Sequence, residues 1–112
     1  MEDDEIVSEF LDDGLDDWVS LHNVVWFTTR GDLSDESKER AIKILGRLFS
    51  NGLMVPGRLG HSGFEDWPGT ASDWLFRSRA ELDELEWRPM GEGFRLRLTE
   101  RGEAMAREAE GR

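Results

Sequence analysis

Apolar positions in the first half of the chain recur at the three- and four-residue spacing of helices that bury one face. The clearest case begins after Ser34, a residue type that caps helix N-termini, and ends at Asn51-Gly52, which tolerates a left-handed helix end. Asp35 and Glu36 suit the positive end of the helix dipole. The predicted core face of this helix consists of Ala41, Ile44, Leu45 and Leu48, and Leu53 continues it just beyond the helix end.

Two further helices are predicted before this one. The first lies in an acidic stretch and ends near Gly14, and the second begins after the N-cap Ser20, covers residues 21–28 and is closed by Gly31. Trp18-Val19 between them is a short β-prone pair. The apolar stripe of the first helix is Ile6, Val7, Phe10, Leu11 and Leu15.

Extended segments are predicted on either side of a long middle stretch. Residues 53–55 form a short strand that Pro56-Gly57 should break. Residues 94–98 alternate apolar side chains with Arg95 and Arg97, which is the pattern of a half-buried strand, so the two segments are expected to pair. Thr99 then caps a final helix with apolar or small positions at Ala104, Met105 and Ala109.

Residues 58–92 separate the two predicted strands. Glycines predict that the first third is a loop, and Thr70 with Asp73 is a capping pair for a helix over about 71–86. Phe76 falls off the apolar stripe of that helix. The segment therefore either packs back on the domain to enlarge its core or presents aromatic anchors to a partner. The protein-binding candidates are Phe64, Trp67, Trp74, Phe76 and Trp87.

Charge is distributed unevenly along the chain. The formal net charge is −11, yet residues 1–17 hold nine acids and no base, so the other 95 residues carry 16 acids and 14 bases. The acidic start is either a solvated helix face or a polyanionic arm that shields or mimics a basic or nucleic-acid surface. It is also unlike a signal peptide, and no apolar run is long enough for a membrane span, so a cytoplasmic location is expected.

The order helix, short strand, helix, helix, strand, strand, helix resembles a winged helix-turn-helix. LRLTERGEAMARE, residues 96–108, resembles the strand-to-helix passage that closes the wing in MarR-like and PadR-like regulators. The expected fold is therefore a single α+β, winged-helix-like domain over residues 1–112. It has three N-terminal helices, a small antiparallel β-hairpin whose wing carries the inserted segment 58–92 with its helix, and a C-terminal helix. The resemblance concerns fold and not function.

Catalytic motifs are missing from the sequence. There is no cysteine, no G-x-S-x-G nucleophile elbow and no phosphate-binding loop. His61 with Glu65 and Asp66 is the only local set that suggests metal or acid-base chemistry, and such a set is expected by chance in a chain with 25 acids. No enzymatic activity, no cofactor and no metal ion are therefore expected.

Two binding functions remain. The first is a protein-interaction module whose partner is a basic protein or a second copy of the chain, as an immunity or antitoxin protein or a regulatory accessory subunit would be. The second is a winged-helix transcriptional regulator, although the acidic helix start at Asp35-Glu36 would repel phosphates. Its DNA-binding candidates are Lys38, Lys43, Arg47, Arg95 and Arg97.

Overall fold

The computed structural model describes residues 3–110, which form an α+β fold, as the sequence predicts. Within these residues there are five helices and a three-stranded antiparallel sheet. The helices are α1 (Asp3–Asp16), α2 (Leu21–Thr29), α3 (Asp35–Ser50), α4 (Ala71–Glu84) and α5 (Glu100–Glu110). The strands are β1 (Met54–Gly60), β2 (Gly63–Asp66) and β3 (Arg95–Leu98).

The sheet has the order β2-β1-β3, with β1 in the centre. The predicted pairing of the two extended segments is confirmed, since Met54 lies opposite Leu98 and Gly57 lies opposite Arg95. Val19 adds one more rung on the far side of β3, where it exchanges both backbone hydrogen bonds with Leu96. The β-prone pair before α2 is therefore attached to the sheet.

The predicted break at Pro56-Gly57 is wrong, because β1 continues through both residues to Gly60. The carbonyl of Pro56 accepts a hydrogen bond from the Trp67 N–H at 2.9 Å, directly after β2 ends. A proline has no N–H to return to the Trp67 carbonyl, and the Trp74 indole N–H donates to that carbonyl instead at 3.1 Å. The missing rung is thus replaced by a side chain of α4.

The predicted glycine-rich loop after residue 57 is also wrong. β1 and β2 form a hairpin joined by the two residues His61 and Ser62, with Gly60 opposite Gly63. The glycines on which the loop prediction was based, Gly57, Gly60 and Gly63, lie in the two strands. A Cβ on Gly57 would lie 2.3 Å from the Glu65 carbonyl oxygen, so only glycine allows this approach of the strands.

The core lies between the inner face of the sheet and helices α1, α2 and α3. All the predicted core positions of α3, together with Leu53, are buried. The first four positions of the α1 stripe are buried as well, and Leu15 packs partly against them. The acidic N-terminal segment is therefore a packed helix from Asp3 onward, while Met1 and Glu2 lie outside the described residues.

Helix α4 packs against α3. Leu75 lies 3.3 Å from where a Cβ of Gly46 would be, and Trp74 meets Phe49 edge to face with ring centres 5.8 Å apart. Arg79 adds a bidentate pair to Glu39 at 2.8 and 2.9 Å. The inserted helix thus covers a flank of α3.

Helix α5 is attached to the sheet by Thr99 and Gly102. The Thr99 hydroxyl donates to the Gly52 carbonyl at 2.6 Å and accepts from the Gly102 N–H at 3.0 Å, so it caps the helix as predicted. A Cβ on Gly102 would lie 2.1 Å from the Leu53 carbonyl oxygen. The buried face of α5 is therefore Gly102 and Ala106. The small or apolar positions Ala104, Met105 and Ala109, identified in the sequence, are exposed.

Two helices end in the same hydrogen-bonded motif with different residues at its left-handed position. In α3 the Gly52 N–H donates to the Phe49 carbonyl, and the Leu53 N–H donates to the Leu48 carbonyl. Gly52 has a φ of 68°. In α4 the Glu86 N–H donates to the Asp83 backbone carbonyl, and the Trp87 N–H donates to the Leu82 carbonyl. Here the left-handed position is occupied by Glu86, which has a φ of 56°. A left-handed non-glycine residue costs about 1–2 kcal/mol.

This pair of helix ends allows a matched test of backbone strain. Glu86→Gly should raise the free energy of unfolding by about 1 kcal/mol, because it removes the Cβ from a left-handed residue. Gly52→Ala should lower it by a similar amount, since a Cβ there meets no atom within 4 Å and the cost is conformational. Urea denaturation measures both values. Destabilisation by Glu86→Gly would contradict the assignment of strain to that position.

Candidate interaction surfaces

Helix α3, on which three of the DNA-binding candidates lie, has two of its four basic side chains paired with acids of α1. Lys43 Nζ lies 3.3 Å from the Asp3 carboxylate, and Arg47 lies 2.6 Å from the Asp4 carboxylate. Such exposed pairs add little stability, but they place negative charge beside Lys43 and Arg47. Two of the five DNA-binding candidates are therefore screened within the chain.

Other contacts reduce the free surface of α3 further. The Arg79 guanidinium beside Glu39, through its hydrogen bonds and then its charge, holds the pKa of that carboxyl below its usual value. Lys38 Nζ lies 5.9 Å from the centre of the Trp87 ring, at cation–π distance. The face of α3 is thus flanked by α1 at its C-terminal half and by α4 along its side.

The outer face of the sheet brings together residues from both candidate sets. Strand register puts Phe64 of β2 and Arg95 and Arg97 of β3 on the same side. Leu59 of β1 and Trp18, next to the rung at Val19, point to that side as well. We call this surface, formed by Trp18, Val55, Leu59, Phe64, Arg95 and Arg97, the outer sheet face.

The outer sheet face has an aromatic centre. Trp18 and Phe64 meet with ring centres 5.4 Å apart. The Phe64 ring lies over Gly57, where a Cβ would come within 2.5 Å of it, so the absence of a side chain on β1 makes room for the ring. Leu59 is 51% exposed and Trp18 is 38% exposed. The opposite side of the sheet, by contrast, is buried at Val19, Met54 and Leu96.

An ion pair crosses the central strand on the outer sheet face. Arg97 makes two hydrogen bonds of 2.7 Å to the Asp66 carboxylate, although β3 and β2 are not neighbours. The side chain of Arg97 therefore reaches across β1 near Gly57. Hydrogen bonding to Arg97 lowers the pKa of Asp66 and raises the pKa of Arg97.

The other aromatic candidates lie elsewhere. Trp67 and Trp87 are buried and Trp74 is half-buried, so they pack in or against the core and do not form an exposed surface for a protein partner. Trp67 contacts Phe94 with ring centres 4.8 Å apart and stacks against the Arg77 guanidinium at 4.0 Å. Phe76, which the stripe leaves aside, is 80% exposed on α4.

A second feature is an apolar groove of about 350 Å³ between α2 and residues 87–90. Trp26, 48% exposed, and Met90, 87% exposed, border this groove, and Trp87 lines it from beneath. The exposure of Trp26 could not be predicted from the sequence. Helix α2 has apolar residues on several faces, so its pattern does not indicate which face is buried.

The residues of the suggested acid-base set are exposed. His61 lies in the β1–β2 turn, and Glu65 and Asp66 are engaged by Arg58 and Arg97. Among residues 3–110 no group of three or more histidine or acidic side chains is arranged to hold a metal ion. Across the same range, every helix is too short or too polar to cross a membrane.

Comparison of the chain with protein-family models, curated proteins and solved structures finds no significant match. The surfaces themselves are therefore the basis for a functional proposal.

The Asp66–Arg97 pair generates a pH-dependent prediction. Because the pKa of Asp66 is lower in the folded protein, its stabilising effect is present near neutral pH and is lost as the pH falls through that lowered pKa. Asp66→Asn should reduce the free energy of unfolding by about 0.5 kcal/mol near neutral pH, since the pair is partly exposed. The difference from wild type should shrink below about pH 4.

Urea denaturation across this pH range provides the measurement, with Asp12→Asn on the exposed side of α1 as the control. An effect of Asp66→Asn that stays constant down to acidic pH would show that the carboxylate charge is not the cause.

Proposed function

We propose that this chain is a non-enzymatic protein-interaction module with a winged-helix-like body. The order α1, Val19, α2, α3, β1, β3 is that of a winged helix, and the pairing of β3 with both Val19 and β1 supports the assignment. In this interpretation β2 and α4 elaborate the wing. The elaboration covers a flank of α3, while Trp18 and Leu59 of the outer sheet face stay exposed.

The observation that carries the proposal is the apolar cluster on the outer sheet face, in which Trp18 and Leu59 are exposed and Phe64 is half-buried. Tryptophan and arginine contribute strongly to binding when a partner removes them from water, and here Arg95 and Arg97 adjoin the apolar side chains. Such a cluster on a β-surface, set among polar side chains, is typical of interaction sites.

Charge around this cluster favours a basic protein partner. Asp16, Asp17 and Glu103 lie with Trp18 and Arg97 around one depression at the edge of the face. The chain as a whole carries −11. Acidic rims accelerate association with basic partners and make it salt-dependent. An immunity or antitoxin protein, or an accessory subunit of a regulator, has this kind of partner.

Affinity capture from cells of the source, followed by titration of the recovered protein, tests the proposal. We expect a basic partner whose affinity falls about 30-fold with Trp18→Ser and with Phe64→Ser, because each removes an aromatic anchor. Phe76→Ser on α4 is the matched control and should leave the affinity unchanged. Higher salt should weaken wild-type binding by screening the acidic rim.

Equal affinity of all variants for the recovered partner would contradict the outer sheet face as the site. If the partner is a second copy of the chain, light scattering should show a dimer that Trp18→Ser converts to monomer.

DNA binding is the alternative function, and the basic side chains Arg95 and Arg97 on a wing-like strand favour it. Deletion of residues 1–17 is unsuitable as a test, since it would remove buried side chains of α1. Neutralisation of Asp3 and Asp4 by asparagine removes the screening of Lys43 and Arg47 while the buried face of α1 is kept.

Titration of labelled duplex DNA distinguishes the two functions. For an interaction module we expect no dissociation constant of about 1 µM or tighter near physiological salt, for wild type or for Asp3→Asn/Asp4→Asn. Salt-resistant binding by either protein that Arg95→Ala and Arg97→Ala abolish, and that Arg101→Ala on exposed α5 does not, would instead establish a DNA-binding protein.

A further inference from the structure

The groove between α2 and residues 87–90 differs in charge from the rest of this acidic protein. The chain has 25 acidic residues out of 112, yet none of the ten residues that line the groove is acidic. The two ionisable residues among them are His22 and Arg88. Lys38, outside the lining, lies 5.9 Å from the centre of the Trp87 ring, and the Glu92 carboxylate accepts a hydrogen bond from the Met90 N–H at 2.8 Å. The lining itself combines apolar side chains with the charged Arg88 guanidinium and contains no carboxylate.

Backbone strain is concentrated beside the same groove. Trp87 follows Glu86 in the left-handed region with a φ of 59°, although the helix-end motif needs only one such residue. Trp87 is buried, and its indole N–H donates to Asp83 at 2.8 Å, so the ring is held in a fixed position. Strained non-glycine residues that the surroundings hold in place are characteristic of binding sites.

The hydroxyl group in the groove lining, that of Thr29, is hydrogen-bonded within the chain. The Thr29 hydroxyl donates to the Val25 carbonyl at 2.7 Å and accepts from the Gly31 N–H at 3.2 Å. The lining therefore offers apolar contact from Trp26, Trp87 and Met90, with positive charge supplied by Arg88. Sites for small organic ligands have this composition, and a volume of about 350 Å³ is at the lower end of their range.

We propose that this groove binds a small amphipathic aromatic anion. The ring system lies against Trp26 and Trp87 under the flexible side chain of Met90, and the acidic substituent faces Arg88 and His22. A cationic ligand would leave Arg88 without complementary charge. The site shares no residue with the outer sheet face, so it goes beyond the proposed function and its failure would leave that function untouched.

Two naphthalene probes of similar shape test the proposal. The anion 1-anilinonaphthalene-8-sulfonate should bind saturably at one site per chain, with fluorescence enhancement, and more tightly than the neutral N-phenyl-1-naphthylamine. Arg88→Glu should weaken the anion about tenfold and the neutral probe less than twofold, since only the anion meets the charge reversal. Met90→Asp should weaken both probes, because it removes apolar cover. Arg101→Glu on α5 is the matched charge control.

Nitrogen-15 spectra of the wild-type protein locate the site. The anion should shift the indole signals of Trp26 and Trp87 and the amides of residues 22–33 and 87–90, while the Trp18 indole stays unchanged. Near-ultraviolet circular dichroism verifies that each variant retains native packing, since the anionic probe also binds partly unfolded chains. Absence of saturable binding, equal affinity of the two probes, retained affinity in folded Arg88→Glu, or shifts centred on Trp18 would each overturn the proposal.

Discussion

The packing of α3 on both sides is the constraint on which the rest of the structure depends. Ala41, Ile44, Leu45 and Leu48 have no accessible surface, and α2 and α4 both pack along this helix. The side chains of α3 that stay exposed are mostly charged, among them Glu36, Arg40 and Lys43, and two of its bases are paired with acids of α1. The exposed tryptophans lie elsewhere, with Trp18 beside the sheet and Trp26 on α2.

The acidity of the N-terminal segment follows from the same packing. Ile6, Val7, Phe10 and Leu11 attach α1 to the core, which leaves its polar positions for charge. Some of those acids lie next to Lys43 and Arg47 of α3, while Asp16 and Asp17 lie near Trp18. One helix thus screens basic groups at its beginning and supplies an acidic rim at its end. Charge counted along the chain does not distinguish these two effects, because they depend on which helix faces are covered.

Much of the fold could be predicted from the sequence because local signals there agree with tertiary packing. Ser20, Ser34, Thr70 and Thr99 cap the helices for which capping was expected, and periodicity identifies the core face of α3. The strand β2 could not be predicted, since Gly63–Asp66 has neither alternation nor β-branched residues. It forms because β1 offers an edge, and Pro56 is tolerated because Trp74 replaces the missing hydrogen bond. Both causes are nonlocal.

Aromatic content was a poor guide to the candidate surfaces for a related reason. The inserted segment is rich in aromatic residues, but Trp67 and Trp87 enlarge the core of a chain of only 112 residues. A small domain gains most from large apolar side chains when they are buried. The accessible tryptophans, Trp18 and Trp26, lie instead in the body that the insertion covers only in part. When a segment adds aromatic residues to a small fold, the aromatic residues that indicate a binding surface are therefore those that stay exposed after the segment has packed.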